Sequence, residues 1–385
     1  MSGVRAALSA VALLLLVPAT AAAGDVVVQG RGFGHGVGLS QYGAYGYALR
    51  EGRDHRFILA HYYTGSGYGP APGGRVRVRL KRGRAPRLSG ASAARAGNGR
   101  RVRLVEARTY RFLALGPDRV EVIDTSTGRT RARLRAPVTV TGGATTTLRG
   151  TAENGLRDGA YRGAMVFARD GGAVLAVNRV SLERYLYGVI AAEMPASWPA
   201  EALKAQAVVA RSYALRSVRP TSPYDVFADV RSQVYRGVLA ETAATTAAVQ
   251  GTRARVVTAG GVIAQTFFFS TSGGRTATNE EGFGGAPLAY FRSVDDPHDD
   301  LSPYHSWKAT FSEREANRKL RTVLLGDLQG LAVASTTPSG RAATVEVRGS
   351  QGNQTVSAAT IRTLLELRST WITAVTGPQP PVRRP

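Results

Sequence analysis

Forty-five glycines in 385 residues limit what this chain can build. Glycine takes positive φ freely and costs a helix interior about 1 kcal/mol relative to alanine. A chain so rich in it suits tight turns and short strands better than long helices. The apolar pattern agrees. Arg75-Val76-Arg77-Val78-Arg79-Leu80 alternates with period two, as a half-buried strand does. Val102–Val105, Val120–Ile123 and Val138–Val140 read as further short strands separated by Gly, Pro and Asp. Tyr161–Arg169 and Ala173–Val177 flank Asp170-Gly171-Gly172 as a hairpin, and Val262–Phe269 reads as a buried strand whose phenylalanines belong to the core. Helical spacing is confined to a few places. Residues 181–192 form a short helix capped by Ser181, and a longer one runs from about Pro199 to Val218. In the longer helix Leu203, Ala207, Ala210 and Ala214 make one narrow face of small residues. Ser312–Leu325, a strand at Ala343–Val347 and a helix from Ser357 complete an α+β chain.

Hydrophobic residues make up 43% of the sequence, enough for a packed core, and there is no cysteine. No disulfide can brace the fold and no thiolate zinc site can form. The five histidines show no pair at ligand spacing, so neither a metal nor another cofactor is expected. Lys and Arg outnumber Asp and Glu 50 to 27, for a net charge of +23, and such a field attracts polyanions. Which polyanions depends on the compartment. Arg5, the apolar run Ala6–Val17 and the small residues Ala21-Ala22-Ala23 have the order of a cleaved signal peptide over 1–23. The run is too short for a spanning helix, which needs about 20 residues. An exported protein meets anionic wall polymers, lipids and peptidoglycan carboxylates rather than nucleic acid. The densest arginines lie in 75–150, a basic β-rich stretch, and the Pro-rich end, 377–385, reads as disordered.

Two blocks carry candidate chemistry. The first is Gly30-Arg31-Gly32-Phe33-Gly34-His35-Gly36-Val37-Gly38-Leu39-Ser40-Gln41-Tyr42-Gly43-Ala44. Alternating glycines let the backbone approach a ligand closely, but no frame fits G-x-G-x-x-G and there is no Walker lysine. His35, with glycine on both sides, is placed to exchange a proton or hydrogen-bond a ligand. The second block runs from Tyr185 through Glu193-Met194-Pro195 to Trp198 and on to Tyr213-Ala214. Glu193 closes an apolar stretch just before a proline, where partial desolvation raises a carboxyl pKa and suits it to act as a general acid. Glu201 sits in the first turn of the next helix, where the helix dipole alone accounts for it. Glu280 and Glu281 are the alternative acids. Ser272-Gly273-Gly274 either presents backbone N–H groups to a ligand or is a plain hairpin turn, and Asp295–Asp300 reads as an exposed turn.

Together these blocks resemble the SpoIID/LytB family, which includes a sporulation lytic transglycosylase and an amidase enhancer. Tyr224-Asp225-Val226, Ser232-Gln233-Val234-Tyr235, Ser270–Thr276 and Tyr290–Pro297 add to the likeness, which covers roughly 160–307 and 30–48. It implies a SpoIID-like domain of short strands around a central helix over 151–376. The segment 24–74 packs on that domain and 75–150 is a basic insert. It further implies a peptidoglycan lytic transglycosylase in which Glu193, as acid/base, cleaves the MurNAc–GlcNAc bond of peptide-free glycan strands. Glycan contacts then fall to His35, Gly36, Ser40, Gln41, Lys204, Gln206, Arg211, Tyr213, Ser272, Gly273 and Gly274. The rival expectation is a wall-binding enhancer of a cell-wall amidase that does not cut. The glycine block stands upstream of the Glu193 block here, the reverse of the family's usual order, so the His35 loop has to enter the site from the N-terminal side.

Overall fold

The computed structural model describes residues 24–377, so the expected signal peptide (1–23) and nearly all of the expected disordered tail lie outside the described residues. The fold is α+β. Its largest unit is an eleven-stranded sheet whose edge strand is Val226–Phe227. Arg75–Gly83, Ala173–Ser181, Ala164–Asp170, Val138–Thr151, Arg87–Arg95, Thr109–Leu115, Arg119–Asp124 and Thr130–Arg135 follow in order, and off this path Arg157–Tyr161 pairs with Val138–Thr151 and Arg101–Arg103 with Arg87–Arg95. All neighbours are antiparallel except Val226–Phe227, which runs parallel to Arg75–Gly83. The period-two reading holds: Val76, Val78 and Leu80 are buried between partly exposed arginines. One strand, Val138–Thr151, crosses position 150 and pairs on both sides. Arg75–Gly83 pairs with Ala173–Ser181 over eight residue pairs. The basic stretch therefore supplies seven of the eleven strands of a sheet shared with the residues after 151.

The helix Ala200–Arg216 lies at the centre of the larger core. The sequence suggested one narrow apolar face, but this helix is buried on nearly every side. Helices Gln41–Arg50, His55–Tyr62, Leu182–Glu193 and Ala243–Gly251 all pack around it. Its alanines make that possible, because small side chains let several backbones approach at once.

A second core joins the two ends of the described chain. The strand Val26–Arg31 sits between Ser306–Phe311 and Ile372–Thr376. Val26, Val28, Trp307, Phe311 and Ile372 are buried there with the helices Glu313–Leu320 and Ala358–Leu364. From this strand the glycine block passes into the larger core, where Leu39–Ser40 pairs parallel to Phe268–Phe269. The expected continuous strand Val262–Phe269 is broken. Only Val262–Ile263 and Phe268–Phe269 are strand, and they belong to two different sheets. Among the described residues no helix is long and apolar enough to cross a membrane.

Candidate active site

Glu193 is the last residue of the helix Leu182–Glu193; Met194 is already extended, at φ −131° and ψ 143°. The helix therefore delivers this carboxyl to its own C-terminal end, where unpaired carbonyls make a negative charge unfavourable. The side chain opens onto a cleft of about 440 Å³. Burial raises its pKa to about 7, against the opposing pull of the Val234 N–H and the Gln41 amide. The Val234 N–H donates to Oε1 at 2.7 Å, and the Gln41 side-chain amide donates to the Glu193 main-chain carbonyl at 3.3 Å. Val234 is held in turn by its neighbour: the buried Tyr185 hydroxyl donates to Gln233 Oε1 at 3.0 Å. No other carboxylate lines the cleft.

Four of the residues singled out in the sequence meet here: Glu193, His35, Gln41 and Tyr213. The glycine block thus reaches the Glu193 site from upstream, in the reversed order. His35, however, is not free to exchange protons. Its Nδ1 accepts from the Val37 N–H at 3.1 Å, so Nε2 carries the hydrogen and donates to the Phe268 carbonyl at 3.1 Å. Burial, aided by the charges of Arg362 and Arg341 and opposed by the Phe268 carbonyl, lowers its pKa to about 4. A neutral ring with both nitrogens engaged is a wall of the cleft. Phe283 packs against it at 4.8 Å between ring centroids.

The remaining assignments move elsewhere. Arg211 is fully buried and makes a two-pronged ion pair with Glu183 (2.8 and 3.0 Å) while donating to the carbonyls of Arg255 and Val249. It ties three helices and a strand together and does not reach the cleft. Gln206 is also fully buried, facing the core, with no partner for its side-chain amide. Lys204 pairs with Glu201 at 2.6 Å, and His55 holds the same carboxylate at 2.6 Å. Burial would raise the pKa of Glu201, but these two partners bring it down to about 2, which agrees with a structural role. Ser40 caps the helix Gln41–Arg50 by accepting from the Gly43 N–H. Gly36, at φ +87°, leaves room for the Arg341 guanidinium; an added Cβ would lie 2.8 Å from it. Ser272, Gly273 and Gly274 form an internal turn. The Ser272 hydroxyl and Gly273 N–H donate to the buried Asp299, and the Gly274 N–H donates to Ser272 Oγ. Their donors are used within the fold.

The exposed-turn reading of Asp295–Asp300 also needs correction, since Asp296 and Asp299 are both fully buried. The Tyr62 hydroxyl donates to Asp296 at 2.8 Å, and His305 pairs with Asp299 at 2.7 Å. The alternative acids lie outside the cleft, and Glu281 instead accepts from the Ser339 N–H. The phenylalanines expected in the core supply much of the cleft wall: Phe267, Phe268 and Phe269 all line it, with Phe33 and Phe283. Once the strand breaks, alternation no longer sends neighbouring side chains to opposite faces. Sequence reasoning missed these rings and the Val234 N–H. The run of three phenylalanines was a visible signal; a single backbone donor leaves none.

An aromatic-walled cleft with one carboxyl whose pKa is raised to about 7 has the groups that acid–base chemistry on a ligand with apolar faces and polar edges requires. Residues 170–258 match the family model described as SpoIID, "Stage II sporulation protein". The chain is 31% identical over 210 residues to Stage II sporulation protein D of Bacillus subtilis, covering 50% of this chain and 60% of that one. It is 32% identical over 211 residues to the protein of the same name from Bacillus amyloliquefaciens, again 50% of this chain and 60% of the relative. An "Amidase enhancer" of Bacillus subtilis is 37% identical over 135 residues, which is 35% of this chain and 18% of that protein. The chain thus spans at most 60% of the length of these relatives. Residues 170–258 thus carry a SpoIID-type region, and the chain is similar over about half of its length to Stage II sporulation protein D and over a shorter stretch to an amidase enhancer.

Proposed function

We propose that this protein is an extracytoplasmic peptidoglycan lytic transglycosylase with Glu193 as its single acid/base. The observation that carries the reading is a lone cleft carboxyl with its pKa raised to about 7. Hydrolytic glycosidases use a pair of carboxyls, because the second must activate water or attack the sugar. A lytic transglycosylase does not. Protonated Glu193 donates to the glycosidic oxygen between MurNAc and GlcNAc as that bond breaks. The resulting carboxylate takes the proton from the MurNAc 6-hydroxyl, whose oxygen bonds to C1 and closes a 1,6-anhydro ring. Atoms balance without water, and the nucleophile is already part of the substrate, so positioning replaces a second catalytic group. The apolar faces of the sugar rings would lie against Phe33, Phe267 and Phe283, with Tyr213 and Gln41 at their polar edges.

The likeness to an amidase enhancer supports a second reading, a wall-bound protein that stimulates a cell-wall amidase without cutting. Incubating wild type and Glu193→Gln with peptide-free glycan strands separates the two. Anhydro-MurNAc ends from wild type alone support the transglycosylase. No cleavage by either protein, with both still binding the strands, favours the enhancer.

A further inference from the structure

The large sheet has two unlike faces where Thr109–Leu115, Arg87–Arg95 and Val138–Thr151 lie side by side. On the inner face Tyr110, Leu88 and Leu148 stand in register and are buried. One residue along each strand, on the opposite face, the register aligns Arg111, Arg87 and Arg149. With strands ~4.8 Å apart, that row is about 10 Å long. The next row on the same face is Thr109, Ser89 and Thr147, three hydroxyl residues. The arginine row borders a depression of about 260 Å³ lined by Arg87, Arg149 and Arg157, with Thr109 and Thr125 at its edge. Asp158 is the single carboxylate there. It is committed to the Gly150 N–H at 2.7 Å and lies 3.8 Å from Arg149.

Like charges directly opposite one another on a sheet are destabilising. Elsewhere on this sheet some arginines are neutralised, Arg133 by Glu121 and Arg79 by Glu153, while others such as Arg95 and Arg101, opposite one another, are not; the row is set apart by three aligned arginines beside a depression. Among the described residues, Arg87, Arg111 and Arg157 have no ion-pair partner. Arg149 is instead steered toward the row by its Nε–H bond to Ser89 Oγ at 2.9 Å. We propose that this row of arginines beside hydroxyls is a binding site for the phosphodiester groups of a linear anionic polymer of the poly(alditol phosphate) kind.

Guanidinium forks match phosphate oxygens in pairs, and the Thr109 hydroxyl lining the depression can donate to the same oxygens. The row is longer than one phosphate, so it suits a chain of them. Recognition of single-stranded nucleic acid needs aromatic platforms for the bases, and an anionic membrane surface is met with an apolar fringe. No large apolar or aromatic side chain lines the depression. The source of the phosphates rests on the extracytoplasmic reading above; the site itself does not depend on Glu193.

The test compares the full chain with Arg87→Gln/Arg111→Gln/Arg149→Gln. A charge-matched control, Arg314→Gln/Arg318→Gln/Arg321→Gln, removes three exposed arginines at and just beyond the helix Glu313–Leu320. Binding to synthetic poly(glycerol phosphate) is measured by calorimetry across a salt series. The site variant is expected to lose at least tenfold in affinity and about 2 from the slope of log K against log[salt]. The control should keep nearly all of both. Thermal unfolding of the site variant should match or exceed wild type, since a like-charged row is gone. Equal losses in the two variants would mean diffuse attraction and overturn the proposal. So would a loss seen only with phosphatidylglycerol vesicles or a single-stranded oligonucleotide. Glycan cleavage, measured on the same variants, should be unchanged. If wild type itself never cleaves glycan, the Glu193 reading fails while the polymer result still stands.

Discussion

At the scale of single residues, Glu193 and Arg211 show how similar sequence signals end in different roles. Both are charged residues in helices rich in small and apolar side chains. Glu193 meets one N–H donor and a helix C-terminus, and burial raises its pKa to about 7. As general acid it must be protonated, so kcat/KM for glycan cleavage should fall as pH rises through about 7. Glu193→Gln should lower the rate by about 10²–10⁴-fold, as loss of an acid/base does. Its effect on stability has a definite sign. The folded state holds this proton more tightly than the unfolded chain, whose carboxyl titrates near 4.5. The contribution is therefore complete below that value and is lost as pH rises through about 7. Glu193→Gln should stabilise the protein by ~1–3 kcal/mol at pH 8 and hardly at all at pH 4, read from denaturant midpoints. Arg211 instead is completely buried against Glu183. Arg211→Ala leaves that carboxylate without its partner and should cost about 3–5 kcal/mol in urea unfolding. A role at the glycan would predict lost binding with normal stability.

The glycine block acts as one element. It carries positive φ at Gly32, Gly34, Gly36 and Gly38, and so coils instead of extending. Of these four, Gly38 is the most crowded: an added Cβ would lie 2.2 Å from the Phe267 carbonyl oxygen, at a φ of +79°. Gly38→Ala should destabilise the fold by about 2 kcal/mol or more and cut activity, because the loop that brings His35 and Gln41 to the cleft can no longer seat. Hydrogen exchange at the Val37 N–H reports whether it has. Alternating glycines were plain in the sequence, where they read as letting the backbone approach a ligand closely. In the fold they leave room for the protein's own groups: Phe269 and Phe267 at Gly34 and Gly38, the Thr271–Ser272 backbone at Gly32 and Arg341 at Gly36. A pattern of missing side chains says that something comes near without saying what.

Across the whole molecule, the strand Val26–Arg31 connects the smaller core to the glycine block. Gly30 lies against Trp307, so the anchor of the block is set outside the core that holds Glu193. Trp307→Ala should cost about 3–5 kcal/mol, as removal of a buried tryptophan does. Mild urea should then release the glycine block before the larger core unfolds. Fluorescence of the remaining tryptophans against far-UV circular dichroism would show two transitions in place of one.

The α+β class, most strands of the large sheet, the two helices around Glu193 and the partial desolvation of that carboxyl were legible in the sequence. Each depends on local periodicity or on a residue's immediate neighbours. Other outcomes rest on pairings between distant segments, which no window of sequence contains. Those pairings brought His35 beside Glu193 yet occupied both its ring nitrogens, and they turned Arg211, Gln206 and Ser272 inward. They also broke the phenylalanine strand so that its rings line the cleft, and set Arg87, Arg111 and Arg149 in one row. A side chain's chemistry is written in its type; its availability is decided by which groups the fold places against it.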